Sequence, residues 1–198
     1  MSHRTKSLSL SEGSALQRII REIRYHEASR QLFAILFVVL VSVLGEPNLI
    51  LYIAGIPFIF LGIVIRMWAS GHVKKNKMLA TDGPYAYVRH PLYVGNILLL
   101  VGYSISSGLW WSYLLMAFLL YLYYPPTIQY EDAKLHKLFG EDWERWRGVT
   151  SALIPSLKPY PSSEEKGGWS FSQSMRDNGE PIIVAFLIFW LVFLFFQI

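Results

Sequence analysis

Residues 92–124 read LYVGNILLLVGYSISSGLWWSYLLMAFLLYLYY, and none of them carries a charge. A membrane-crossing helix needs about 20 mostly apolar residues, so this run is too long for one crossing. It divides at the polar SISSG of 104–108 into two helices. Three more apolar stretches flank it: LFAILFVVLVSVL at 32–44, LILYIAGIPFIFLGIVI at 49–65 and IIVAFLIFWLVFLFF at 182–196. The expected spans are therefore 31–45, 48–67, 91–107, 109–125 and 181–198. The expected fold is all-α, a polytopic membrane helical bundle of about five transmembrane helices.

Composition agrees. Charged residues make up 16% of the chain, against roughly 25% in a soluble domain, which excludes a disordered chain and argues against a soluble fold. There is no cysteine, so a disulfide scaffold, a cysteine-based metal site and a cysteine nucleophile are excluded. All 18 Lys and Arg fall in three segments: before the first span, between spans two and three, and between spans four and five. By the positive-inside rule these segments are cytoplasmic. The expected localisation is multi-pass in the membrane, with the N-terminus cytoplasmic and the C-terminus on the opposite side.

Four regions follow. In 1–30, Leu16, Ile19, Ile20 and Ile23 recur at helical spacing, with Arg18, Arg21, Glu22 and Arg24 on the other face. This reads as a cytoplasmic amphipathic segment, lying on the membrane or on the protein's own cytoplasmic side. The first 31 residues hold no apolar core as long as a cleavable signal peptide requires. Residues 31–158 form the expected membrane core, four helices with two cytoplasmic motif segments. Residues 159–180, opening with PYPSSEEKGG, read as a linker. Residues 181–198 are the last membrane helix.

Two segments predicted to be cytoplasmic are dense in polar groups: RMWASGHVKKNKMLATDGPYAYVRHPLYVG at 66–95 and QYEDAKLHKLFGEDWERWR at 129–147. In the first, Asp82, Gly83 and Pro84 are turn residues. Arg89 and His90 precede Pro91, which is tolerated in a first helical turn. They therefore stand at a helix start, where free N–H groups favour an anion such as a carboxylate. Tyr93 can donate a hydrogen bond from an apolar wall, and Gly95 permits close approach to the backbone. In the second, Pro125 and Pro126 are expected to end the fourth span. Glu131 and Asp132 then follow on adjacent faces of a helix ending near Gly140. Lys134, Lys137, Glu141, Asp142 and Glu144 read as a solvated face, and Trp143 and Trp146 as interfacial anchors. His72 stands alone past the second span. No H-E-x-x-H or paired-His spacing is present, so no metal is expected. Neither a Gly-rich phosphate loop nor a G-x-S-x-G elbow occurs. The basic loops are accounted for by topology, so no nucleic-acid partner is expected. Nothing in the sequence sets an oligomeric state.

GPYAYVRHPLYVG followed by YEDAKLHKLFGEDWERW resembles the isoprenylcysteine carboxyl methyltransferase family and, more distantly, the membrane phospholipid N-methyltransferases. SGHVKKN is similar to the bacterial branch, and the match covers roughly 67–155. The resemblance implies an integral-membrane methyltransferase using S-adenosyl-L-methionine from the cytoplasm. Carried over, the cofactor-binding residues are His90, Pro91, Tyr93, Glu131 and Asp132. Apolar and aromatic residues near Tyr85, Tyr87 and Leu92 are suited to hold the adenine, and His72 is a further candidate. Glu131, Tyr93 and Arg89 are the catalytic candidates. The helix start at Arg89 and His90 suits the cofactor's carboxylate, and Glu131 its ammonium or sulfonium. Carboxyl O-methylation of a lipid-like or isoprenoid-bearing acceptor, entering laterally from the membrane lipids, is the implied reaction. The YYPPTIQ of 123–129 has no arginine where the carboxyl methyltransferases usually carry one, so the acceptor stays open. The alternatives are a non-catalytic membrane scaffold or binding protein, or an NADPH-dependent membrane reductase of related helical layout.

Overall fold

The computed structural model describes residues 27–73, 78–161 and 168–198. The amphipathic pattern expected before Glu27 lies outside them. Every regular element among the described residues is helical: α1 Glu27–Val43, α2 Leu49–His72, α3 Pro91–Ser106, α4 Trp110–Phe139, α5 Glu141–Arg147 and α6 Glu180–Phe195. A 3-10 turn at Gly83–Ala86 precedes α3, and a π turn at Gln173–Asp177 precedes α6. The all-α expectation holds. Among the described residues, α2 is the one helix both long and apolar enough to cross a membrane. Leu32–Val43, Pro91–Ser106 and Glu180–Phe195 are apolar but shorter.

The α2 and α3 helices run antiparallel and pack through glycines. A Cβ on Gly55 would lie 2.5 Å from the Gly102 carbonyl oxygen, and one on Gly62 would lie 2.8 Å from that of Gly95. The repeat of seven on both helices keeps these contacts on one seam. Gly95 was expected to admit a close approach, and the structure identifies its neighbours as the Gly62 carbonyl and the Arg66 stem. Phe37 and Val41 of α1, Ile59 of α2, Leu99 and Tyr103 of α3, and Leu187 and Leu194 of α6 form the main core. Two tyrosines tie α6 to this frame: Tyr52 donates to the Leu191 carbonyl at 3.2 Å and Tyr103 to that of Leu187. A helical carbonyl has a second lone pair for such bonds.

Pro125 and Pro126 do not end a helix. α4 continues through both to Phe139 and stops at Gly140, whose φ of 50° suits glycine. Neither proline has an N–H to give the usual helical bond four residues back. The helix survives because the adjoining turn is well held: Thr127 bonds the Tyr123 carbonyl at 2.6 Å, and Tyr123, Tyr124 and Pro126 are buried. Glu131 and Asp132 are thereby set on the same rigid helix as the apolar run.

Two returns complete the fold. After α5 the chain runs back along 86–90: Arg89 N–H donates to Ser151 O (2.9 Å), His90 N–H to Ala152 O (3.1 Å) and Ser156 N–H to Tyr87 O (2.8 Å). Within the expected linker, residues 168–179 dock on the end of α2. The indole N–H of Trp169 donates to the Met67 carbonyl at 3.2 Å, and the Asn178 amide to that of Ser70 at 2.8 Å.

Candidate active site

The turn before α3 is built first. His72, at the end of α2, bonds Asp82 (Nδ1 to Oδ2, 3.1 Å). Its ring lies directly under Gly83, where a Cβ would come within 2.3 Å of Nε2. Gly83 has a φ of 53°, so glycine is needed there for both backbone angle and space. Among the described residues, no hydrogen bond or ion pair joins His72 to His90, Glu131 or Asp132. Its partners make it a clamp for the turn. Trp143 and Trp146 are buried at 6% and 1% exposure, so neither is an interfacial anchor. The Trp146 indole donates to the Tyr85 carbonyl at 2.9 Å and pins the same turn. Both indoles face inward because α5 packs them against Ala69, Leu79 and Tyr85, with Leu92 beside them.

The turn delivers α3 as expected, with His90 at the N-cap and Pro91 in the first turn. Tyr93, one turn on, donates to Glu131 Oε1 at 2.6 Å. The His90 ring stacks on Tyr93, centroids 5.3 Å apart, and lies between two carboxylates. Its Nε2 is 3.3 Å from Asp132 Oδ1 and its Nδ1 is 3.6 Å from Glu131 Oε2. Arg89 Nη2 donates to Asp132 Oδ2 at 3.2 Å, and Nη1 to the Thr150 carbonyl. Arg89, His90, Tyr93, Glu131 and Asp132 thus converge as one cluster, while Tyr85 and Leu92 belong to the tryptophan core beside α5.

The two acidic residues are not equivalent. Burial alone would raise Asp132, but the hydrogen bond and charge of His90, followed by Arg89, outweigh it and hold that carboxyl below the usual carboxylate range. Asp132 is therefore a fixed anion already paired to its neighbours. Glu131 is the more open of the two, its side chain 29% exposed against 14%. The helix start is less open to an anion than the sequence suggested. The N–H groups of Arg89 and His90 are taken by Ser151 and Ala152.

An open cleft of about 890 Å³ adjoins the cluster at Arg89, walled also by His136, Trp143, Glu144, Arg147 and residues 148–152. Arg89 belongs to both. Its Nε and the Nε1 of Trp143 are buried donors without a hydrogen-bond partner. Such a donor costs about 1–3 kcal/mol until it meets an acceptor. Sequence reasoning missed this wall, Trp143 included, because residues 148–152 reach the site only through pairing with 86–90.

Residues 50–142 match the phospholipid methyltransferase family. The chain is 31% identical over 151 residues to the protein-S-isoprenylcysteine O-methyltransferase of Schizosaccharomyces pombe, covering 75% of this chain and 62% of that protein. It is 35% identical over 108 residues to the cobalt-zinc-cadmium resistance protein CzcN of Cupriavidus metallidurans, covering 54% of this chain and 50% of that one. It is 31% identical over 110 residues to the nickel-cobalt-cadmium resistance protein NccN of Alcaligenes xylosoxydans xylosoxydans, at 54% and 51% coverage. The aligned regions thus span about half to three fifths of the length of these relatives. No solved structure matches the chain.

Proposed function

We propose, from the match of residues 50–142 to the phospholipid methyltransferase family, that the chain is an integral-membrane, S-adenosyl-L-methionine-dependent methyltransferase. Its acceptor is a lipid-like or prenylated molecule presented at the cytoplasmic boundary. One observation carries the reading. Glu131 is an accessible carboxylate held by Tyr93 and His90, in a cluster whose Arg89 also lines an open cleft and, with Trp143, keeps a buried donor without a partner. That donor set fits a ligand with a cationic centre and several acceptor atoms, which describes S-adenosylmethionine.

The bound cofactor would supply a methyl group on a sulfonium, ready for in-line displacement. The chain's residues then bind and orient. Glu131 faces the cationic part, Tyr93 fixes the carboxylate's direction, and His90 is kept in place by Asp132 and stacking on Tyr93. Arg89 and Trp143, whose Nε and Nε1 donors lack partners, would supply donors to the cofactor's acceptor atoms. Asp132, held ionised by His90 and Arg89, is a poor proton acceptor. If the acceptor is an amine, the proton goes to Glu131; an acceptor already ionised needs no base. Catalysis is mainly positioning and exclusion of water.

The membrane reading rests on the apolar stretches and on the confinement of Lys and Arg to alternate connections. Large apolar side chains that project outward support it: Ile50, Phe60, Leu114 and Phe189 are each more than half exposed. Five spans, a cytoplasmic N-terminus and a C-terminus on the far side are the topology that follows. The test is transfer of labelled methyl from S-adenosylmethionine to membrane lipid extract or a prenylcysteine, with NADPH oxidation followed in parallel. Label in an extracted lipid or the prenylcysteine supports the proposal. NADPH oxidation alone turns the reading to a reductase, and neither reaction favours a non-catalytic role.

A further inference from the structure

Outside the cluster lies a second buried ionic group which that reading does not use. Arg66, on the last turns of α2, donates from Nη2 to Glu180 Oε1 at 2.9 Å and from Nη1 to Asn96 Oδ1. Glu180 is the first residue of α6 and is only 2% exposed. The group therefore ties together α2, α3 and α6. Asn96 lies three residues beyond Tyr93, so it sits one turn along α3 from the Glu131 contact. The network is also incomplete, because Arg66 Nε and Glu180 Oε2 are buried without partners. A buried pair of this kind is weak evidence for stability, which directs attention to what its charges do nearby.

Helix α3 links the two groups, since Asn96 holds Arg66 one turn beyond the Tyr93 that holds Glu131, and the Tyr85 phenol feels both. It is raised above its usual value, first by burial and then by Glu131, with Arg66 acting the other way and Glu180 and Asp82 adding to the rise. Glu131 and Arg66 thus stand within electrostatic reach of one side chain. A guanidinium left unpaired in a buried site seeks the nearest carboxylate. With Asp132 held by Arg89 and His90, and Asp82 held by His72, the open one is Glu131.

We propose that Glu180 is a positioning residue: by pairing with Arg66 it keeps that cation off Glu131, so that Glu131 stays available to a cationic ligand. The last helix thereby becomes part of the active centre although none of its residues touches the reacting atoms. This rests on the methyltransferase reading.

The test is calorimetric binding of S-adenosylmethionine and S-adenosylhomocysteine to full-length wild type, Glu180→Gln and the double variant Arg66→Gln/Glu180→Gln in detergent. Glu180→Gln keeps the hydrogen-bonding shape and removes the charge, and it is expected to weaken binding about tenfold or more. The double variant removes the stray cation as well and is expected to recover most of that loss; with Arg66→Gln as the fourth protein, the double-mutant cycle measures this interaction between sites. A merely structural role gives the opposite order, with the double variant worse than the single. Equal affinity in wild type and Glu180→Gln overturns the proposal. If Glu180→Gln does not fold, the double variant still decides: tenfold weaker binding by the folded double overturns it. Wild type that binds neither ligand overturns the methyltransferase reading instead.

Discussion

Tyr93 on α3 and Glu131 on α4 are joined by a hydrogen bond of 2.6 Å, the shortest link between the two motif-bearing helices at the cluster. It fixes one oxygen of the more open carboxylate and leaves the other toward His90 and the approach to the site. Tyr93→Phe removes this bond while keeping the ring stacked on His90. A hydrogen bond to a charged group contributes about 1.5–3 kcal/mol, so S-adenosylhomocysteine affinity should fall roughly tenfold or more. Calorimetry on the folded variant, at a temperature below its thermal midpoint, checks it.

Asp132 makes stability depend on acid pH. Its folded value is depressed, so its contribution is present above the unfolded carboxylate value of about 3.9 and is lost as pH falls through the folded value. Asp132→Asn should lower the thermal midpoint at pH 7 and flatten the decline below about pH 4. Melting curves between pH 3 and 7 compare the two proteins. An equally steep acid decline in the variant would assign the effect elsewhere.

His72 should matter to folding more than to binding. His72→Ala loses the bond to Asp82 and empties the space under Gly83, at a cost of roughly 1–3 kcal/mol. The thermal midpoint should drop, while S-adenosylhomocysteine affinity stays within about threefold of wild type. A selective loss of affinity at unchanged stability would return His72 to the cofactor site.

The α2 and α3 seam has no room for side chains. A Cβ on Gly102 would lie 2.5 Å from Ile59 Cγ1 and 2.9 Å from the Gly55 carbonyl oxygen. Gly102→Val should destabilise by about 1–3 kcal/mol or more through overpacking. Gly148→Ala, whose Cβ finds its nearest neighbour at 3.4 Å, should change little. Thermal midpoints of the two variants in the same detergent provide the comparison.

The absence of cysteine makes the topology directly measurable. Single cysteines placed by Glu46→Cys, Ser151→Cys and Gln197→Cys can be labelled in intact cells with a membrane-impermeant maleimide. Five spans with a cytoplasmic N-terminus require labelling at 46 and 197 and protection at 151. Labelling at 151 would reverse the orientation.

Much of the site could be read from the sequence because its instructions are local. Pro91 starts α3 and Gly140 ends α4 by backbone chemistry confined to a few residues. That chemistry places Arg89, His90 and Tyr93 at one helix start and Glu131 with Asp132 near another helix's end. What escaped was set by packing over long separations. The tryptophans of α5 look amphipathic in sequence, and only the fold of α5 onto the Tyr85 turn buries them. Pro125 and Pro126 look like a stop, and only the packed tyrosines around them let α4 continue. Arg66 and Glu180 are 114 residues apart, and no local pattern announces their meeting.

The most direct test of the central claim is calorimetric titration of S-adenosylhomocysteine into the purified protein and into Glu131→Gln, both shown to be folded. Binding to wild type is expected, with a loss of about tenfold or more in the variant, because the side chain that faces the ligand's ammonium has lost its charge. No binding to folded wild type, or equal affinity in Glu131→Gln, would contradict it.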